Sequence, residues 1–274
     1  MLTTMTPKVS VLIPIYNAES FVADTISAVL RQSFKDFELI LLNDASTDNT
    51  QAVISAFDDP RLVYAENKTN LGISQTRNRL IDMARGEYIA VLDHDDICFP
   101  DRLQTQVAFL DQHPDIAMVG SWFELGCPKT APLWRRLLTN LGWAWCHPQT
   151  PQIEDLWRGN VMMHPTIMYR KKVFDEKNIR YREAYTPAED YDLVRQALCC
   201  GLKLFNIPKI LLKYNLHGGN LSITQKKAMQ TVDHQIKTEI AQLLNKKPLF
   251  FYPYFLVMLK KLRLKLFLTG RKNV

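Results

Sequence analysis

Asp93-His94-Asp95-Asp96 puts three carboxylates within four residues. Such charges repel one another at neutral pH unless a cation sits among them. Hard oxygen ligands suit Mg2+ or Mn2+, which favour one or two carboxylates completed by phosphate oxygens. The same pattern also serves as a solvated acidic turn. The run before it, Glu87 to Leu92, is mostly apolar and would hold the turn rigidly. Two other polar clusters keep similar company: Pro14–Asn17 follows VSVLI, and Asn43–Asp48 follows FELILL. A fourth cluster, Glu189-Asp190, opens a stretch with helical apolar spacing. An aspartate there can cap the helix or act as a base.

These clusters need a scaffold, and the spacing supplies one. Val9–Ile13 reads as a buried strand ended by Pro14; Val22, Ile26, Val29 and Leu30 then fall on one face of a helix. Phe37–Leu42 is a second strand, followed by a helix capped near Asp48 with Val53, Ile54 and Phe57 inward. Arg61–Tyr64 is a third strand. Ser74 to Ala84 is a helix with Leu80 and Ile81 inward, closed by Gly86 at its C′ position. Glu87–Leu92 is a fourth strand, and a helix opened by Pro100 and Asp101 buries Leu103, Val107 and Leu110. Ile116–Gly120 is a fifth strand, and residues 185–205 form a later helix introduced by Pro187. Alternating strands and helices imply an α/β fold, a mostly parallel Rossmann-like sheet with helices on both faces. Ligands bind such sheets outside the carboxyl ends of the strands, where the three polar clusters fall. Residues 121–160 break the alternation and hold all five tryptophans (Trp122, Trp134, Trp143, Trp145, Trp157). They are either a stacking surface for sugar or lipid, or packing for an irregular region.

The net charge of +6 is local. Residues 241–274 carry eight Lys/Arg and no acid, leaving 26 basic and 28 acidic residues elsewhere. The body is therefore near neutral, and nucleic acid is not the expected partner. Residues 248–259 (PLFFYPYFLVML) are apolar and aromatic, but twelve residues are too few to span a bilayer. With the basic, leucine-rich stretch that follows, residues 246–272 suit peripheral contact with anionic lipid. Folding back on the body, or pairing in a homo-oligomer, are the other uses. Five irregularly spaced cysteines suggest reduced thiols, not a disulfide framework or a zinc site. Lacking a signal-peptide pattern, the chain is expected in the cytoplasm, on the inner face of the cytoplasmic membrane.

Taken together, VSVLIPIYN (9–17), NDASTDNT (43–50), NLGISQTRN (70–78), GEYIAVLDHDD (86–96) and AEDYDL (188–193) resemble glycosyltransferase family 2, in that family's order and spacing. The resemblance implies the GT-A fold over residues 7–222, with a nucleotide-binding half (7–120), an acceptor half (121–222) and a helical extension (223–274). It implies inverting transfer of a sugar from a UDP-sugar, or a dTDP-sugar, to a hydroxyl of a glycan or lipid-linked glycan, in envelope polysaccharide synthesis. Pro14 and Tyr16 match the loop whose aromatic ring packs on the base. Asp44 matches the acceptor of the uracil N3–H, a donor that cytosine lacks. Arg77 matches an arginine that contacts the nucleotide or its phosphates. Asp93 and Asp95 match the DxD motif, Asp95 as metal ligand and Asp93 near ribose and metal, with Asp96 as a third member. Asp190 matches the general base and Glu189 a residue holding the acceptor. Lys213–Ser222 resembles a lid segment in which His217 contacts metal or diphosphate; Asn215 stands where the family often has arginine. His164 falls near a weakly recurring position, with a structural role equally open. The implied cofactor is Mn2+ or Mg2+.

Other classes lack their signatures. A sugar-nucleotide-forming nucleotidyltransferase would open with a Gly-rich triphosphate loop, and a dinucleotide dehydrogenase with GxGxxG; here the first loop is PIYNAES. An inactive sugar-nucleotide-binding scaffold would show an eroded site, yet the acidic set is complete.

Overall fold

A computed structural model of the 274-residue chain describes residues 6–126, 144–145, 147–247 and 262–263. Most of the basic, aromatic stretch 246–272, and residues 127–143 of the tryptophan-rich segment, lie outside the described residues.

The core is a ten-stranded sheet. Strand β1 (Val9–Ile15) lies between β2 (Phe37–Asn43) and β4 (Tyr88–Val91), and β3 (Leu62–Glu66) forms the edge beside β2. All three of these ladders are parallel. Strands β1, β2 and β4 are buried throughout and read as nearly continuous apolar runs because both faces are covered, whereas edge strand β3 is half exposed. Leu12, Ile40, Leu42, Ile89 and Val91 pack into one core. Val9, Val11, Ile13, Leu39, Leu41, Tyr88 and Ala90 pack into the other. Helices α1 (Val22–Leu30) and α4 (Arg102–Gln112) cover the second face through Val22, Ile26, Val29, Leu103, Val107 and Leu110. The first face is covered by α3 (Ile73–Met83) and α7 (Glu189–Cys199), and by α9 (Lys226–Leu243) through Val232, Ile236 and Ile240. Short α2 (Thr50–Ser55), α5 (Ile153–Leu156), α6 (Lys171–Glu176) and α8 (Leu221–Thr224) complete the helices used below.

Beyond β4 the sheet becomes mixed. Strand β8 (Met168–Arg170) runs antiparallel to both β4 and β6 (Ile116–Gly126). Strand β6 pairs in parallel with β9 (Lys203–Asn215), whose end pairs antiparallel with β5 (Ile97–Cys98). Strands β7 (Ala144–Trp145) and β10 (Leu262–Arg263) extend the β6 edge. Strand β6 therefore runs six residues past the expected Gly120 into the tryptophan-rich segment.

Three local expectations need correction. Pro14 does not end β1, which continues to Ile15. The Leu12 carbonyl faces β4 and accepts from Leu92 N, so Pro14, two residues on, faces the same side. Strand β4 has already ended at Val91, opposite Leu12, so the missing N–H costs no ladder bond. Gly86 is not a left-handed C′ residue. An added Cβ would lie 2.5 Å from Ser10 N and 2.8 Å from Val9 C, so glycine is needed for close backbone approach. The helix expected over 185–205 spans only Glu189–Cys199; Gly201, at φ +72°, turns the chain into β9.

The register sets the site. Ile15, Asn43 and Glu66 align at the carboxyl edge of β1, β2 and β3, while Val91 ends β4 opposite Leu12, three residues lower. The turn after β4 thus starts recessed, beside the last residues of β1.

Candidate active site

The loops after β1 and β2 are stitched together. Asn17 N donates to Ser46 Oγ at 2.9 Å, and Thr47 N donates to Asn17 Oδ1 at 2.8 Å. Glu19 N donates to Asp48 Oδ2 at 3.1 Å, and Asn49 N returns to Glu19 Oε2 at 3.0 Å. Pro14 offers its carbonyl to His94 Nδ1–H at 3.3 Å, joining the first loop to the acidic turn. Tyr16 leaves its ring 44% exposed at this edge.

Asp44 is buried at 4% exposure. Its Oδ1 accepts from Asn67 Nδ2 at 2.6 Å and Leu71 N at 2.8 Å, and its Oδ2 accepts from Gly72 N at 2.9 Å. Gly72, at φ +82°, is the N-cap of α3, so the carboxylate sits at the positive end of that helix. Asn67 was not among the residues singled out from sequence; it lies just beyond β3, outside the motifs.

Helix α3 braces the two halves of the molecule. Ser74 Oγ and Thr186 Oγ1 are 2.6 Å apart, and Gln75 Nε2 donates to Glu183 Oε1 at 3.0 Å. Asn78 exchanges two hydrogen bonds with the Tyr181 backbone, at 2.7 and 3.0 Å. Arg77, 8% exposed, is turned inward: Nη1 donates to Glu189 Oε1 and Nη2 to Asp93 Oδ1 at 3.0 Å. Its guanidinium also faces the Tyr181 ring, 5.3 Å from the centroid. Burial opposes its charge, but Glu189 and then Asp93 hold it firmly protonated.

The acidic turn is latched to the segment after β9. His217 Nδ1 accepts from Gly219 N at 3.2 Å, so Nε2 carries the proton and donates to Asp95 Oδ2 at 2.7 Å. Asn220 Nδ2 donates to the same oxygen at 3.2 Å, and the Phe21 ring stacks on His217 at 4.4 Å. Asn215 donates its side-chain amide to the Asp95 carbonyl at 2.7 Å and its backbone N–H to Asp96 Oδ1 at 2.9 Å. Asn215 thus ties the end of β9 to the acidic turn. Asp96 is fully buried and faces inward. Burial, then Asp95 and Asp93, push its carboxyl well above the usual range.

Among the described residues no three His, Cys, Asp or Glu side chains converge as a metal cage. The structure brings Asp95 and His217 together and ties Asp93 to Arg77. The carboxylates Asp95 and Asp93 fit a divalent cation completed by phosphate oxygens, the ligand set Mg2+ prefers, while His217, with Nδ1 accepting from Gly219 and its Nε2–H on Asp95, orients the Asp95 carboxylate. Arg102, fully buried at the start of α4, donates to the carbonyls of Val91 at 2.8 Å and Ile167 at 3.3 Å, fixing the base of the turn.

At the N-terminus of α7, Glu189 is buried with Oε1 on Arg77 and Oε2 without a hydrogen-bond partner. Asp190 is partly exposed and accepts from Asn160 Nδ2 at 3.1 Å. Burial, then the neighbouring Glu189, push its carboxyl up to about 6. His164 Nε2 and Tyr181 Oη are 2.8 Å apart, and its Nδ1 lies 3.9 Å from Asp93 Oδ1. Burial and then Arg77 press its pKa down to about 3, so it is neutral, unable to serve as a cation.

The chain is similar to known proteins in sequence and fold. A family model described as Glycosyl transferase family 2 matches residues 10–177. The putative glycosyltransferase EpsE of Bacillus subtilis is 35% identical over 211 residues, covering 76% of this chain and 72% of EpsE. The Escherichia coli UDP-Glc:alpha-D-GlcNAc-diphosphoundecaprenol beta-1,3-glucosyltransferase WfaP is 26% identical over 230 residues, 84% of this chain and 86% of WfaP. The crystal structure of S. aureus TarS 1-349 in complex with UDP-GlcNAc superposes with a TM-score of 0.65 at 19% identity, covering 85% of this chain and 71% of that one.

Proposed function

The chain belongs to glycosyltransferase family 2 and has its GT-A fold, and from that premise we propose that it inverts a sugar from a UDP-type donor onto an acceptor hydroxyl, with Asp190 as base. The observation that carries the assignment of the base is the Asp190 carboxyl held near 6 at the head of α7. A base is most effective when its pKa lies near the working pH. Its neighbour Glu189 shares Arg77 with Asp93, so the acceptor-side helix and the acidic turn are held by one guanidinium.

On this reading the base of the donor rests on Tyr16 and offers an N–H to Asp44, which suits uracil or thymine. The acceptor oxygen attacks the anomeric carbon, its proton passes to Asp190, and the bond from that carbon to the diphosphate oxygen breaks, releasing the nucleoside diphosphate. Glu189 and Asn160 keep the Asp190 side of the site in place. Asp95, with Asp93 beside it, would hold Mn2+ or Mg2+, whose charge offsets that of the leaving diphosphate, and His217 would orient Asp95 through its Nε2–H.

WfaP, by its name, uses UDP-Glc and a diphosphoundecaprenol-linked GlcNAc, which supports a lipid-linked glycan as acceptor. Contact with such an acceptor at the membrane would be made through the basic, aromatic residues 246–272; among the described residues no helix is long and apolar enough to cross a membrane. The test is a panel of UDP-, dTDP-, GDP- and CDP-sugars with Mn2+ and lipid-linked acceptors, read by mass spectrometry. Transfer from UDP- or dTDP-sugars is expected. Turnover confined to CDP-sugars would overturn the reading of Asp44.

A further inference from the structure

Asn67 is 2% exposed, and its backbone N–H and both ends of its side-chain amide are committed. Its backbone N–H donates to the Asn43 carbonyl at 2.8 Å. Its side-chain nitrogen donates to Asp44 Oδ1 at 2.6 Å and to Thr76 Oγ1 at 3.3 Å, which uses both hydrogens. Its side-chain oxygen accepts from Arg79 Nη1. The two ends of an amide have nearly the same shape, so charge must choose between them. Here it does. A reversed Asn67 would aim oxygen at the Asp44 carboxylate and NH2 at the Arg79 guanidinium, two repulsive contacts in place of two charge-assisted bonds.

The choice has a consequence for Asp44. Among the described residues, Oδ1 takes two donors, Asn67 Nδ2 and Leu71 N, and Oδ2 takes one, Gly72 N. A carboxylate has about four acceptor sites, so acceptor capacity remains. The donor from Asn67 and the two backbone N–H groups fix the carboxylate plane and leave it nothing to donate.

We propose that Asn67 and Arg79 are specificity-determining positioning residues that hold Asp44 as an acceptor, so that the site selects nucleoside diphosphates whose base presents an N–H. This rests on the base-reading role proposed for Asp44 above. Arg79 sets the amide, the amide sets the carboxylate, and the carboxylate accepts from uracil or thymine N3–H. Cytosine presents an unprotonated ring nitrogen at that position and meets acceptor against acceptor. Neither Asn67 nor Arg79 needs to touch the nucleotide.

The experiment measures equilibrium binding of UDP, dTDP and CDP to the full chain by isothermal titration calorimetry with Mn2+ present. Asn67→Leu removes the donor at similar volume. Arg79→Gln changes only an exposed side chain and keeps the buried Asn67 and Asp44 in the chain, so it covers the case in which Asn67→Leu fails to fold. The wild type is expected to bind UDP and dTDP at least about tenfold more tightly than CDP, since a site built around a hydrogen bond rejects a ligand lacking it. The ratio should fall about fivefold or more in Asn67→Leu, mainly by weaker UDP binding, and by a smaller factor in Arg79→Gln. An unchanged UDP:CDP ratio in the folded variants would overturn the relay while leaving the reading of Asp44 intact. A wild type that binds UDP and CDP equally would overturn that reading first, and the relay with it.

Discussion

Replacing Asp190 by asparagine should move activity and stability in opposite directions. The Asp190 carboxyl is pushed from the ordinary aspartate value of 3.8 to about 6, by burial first and Glu189 second. A carboxyl whose pKa is raised by folding contributes its full stability below the unfolded value and loses it as pH rises through the folded value. The loss therefore develops between about pH 4 and pH 6 and is complete at pH 7.5. At roughly 1.4 kcal/mol per tenfold, it is at most about 3 kcal/mol. Asp190 is only partly covered and solvent screens it, so about 1–2 kcal/mol is the expected gain from a neutral amide. In a chain of this size that raises Tm by about 2–8 °C. The asparagine can still accept from Asn160, so no buried donor is stranded. Removing a general base lowers the rate about 10²–10⁴-fold. The assay pairs thermal melts of both proteins at pH 7.5 and pH 4 with a transfer assay at pH 7.5, plus calorimetric binding of UDP to show that the donor still binds. Wild-type kcat/KM should fall on the acid side with a limb near pH 6. A variant that transfers sugar normally, or that loses stability equally at both pH values, would refute the reasoning.

The remaining predictions test the braces. Arg77→Met strands the buried Glu189 and the partly buried Asp93 without a cation and should cost about 3–5 kcal/mol in a denaturant melt. Because Arg77 lowers the Asp190 carboxyl, the acid limb of kcat/KM should also move to higher pH in any folded fraction. His217→Ala removes the imidazole beside Asp95 and should raise the Mn2+ concentration for half-maximal transfer about tenfold or more, with metal-free UDP binding unchanged. Gly86→Ala drives a Cβ into the Ser10 backbone, which cannot yield as a side chain would; about 1–3 kcal/mol should be lost in the same melt, with kcat/KM of the folded protein intact.

The parts legible in the sequence are those that chain-local physics dictates. Apolar runs at Val9, Phe37 and Tyr88 had to be strands covered on both faces, and the polar clusters after them had to sit at the carboxyl edge. The parts that escaped depend on partners distant in sequence. Pro14 reads locally as a breaker, and only the early end of β4 makes it harmless. Gly86 reads locally as a helix cap, and only the approach of Ser10, 76 residues away, explains it. Strand β9 was hidden because Lys203 to Asn215 mixes lysine, asparagine and proline with its apolar residues. Its partner β6 supplies the pairing that composition does not announce. Asn67 escaped for a related reason: an asparagine beyond a strand is ordinarily a turn residue, and its bonds to Asp44 and Arg79 are visible only in three dimensions.

The assignment of Arg77 illustrates what the folded geometry adds to a motif. Resemblance points its guanidinium at a nucleotide, yet in the protein two of its nitrogens are spent on Glu189 and Asp93. Within the same helix Gly72 N meets Asp44, Ser74 meets Thr186, Asn78 meets Tyr181 and Arg79 meets Asn67. This helix, with its N-cap, thus contacts the residue that would read the base, the acidic turn and the approach to α7. Misplacing a catalytic group by about 1 Å can cost a hundredfold in rate. A rigid element that touches all three keeps such errors correlated, because a shift of α3 carries nucleotide loop, acidic turn and α7 together. In NLGISQTRN the arginine thus sets where the carboxylates stand before any ligand arrives.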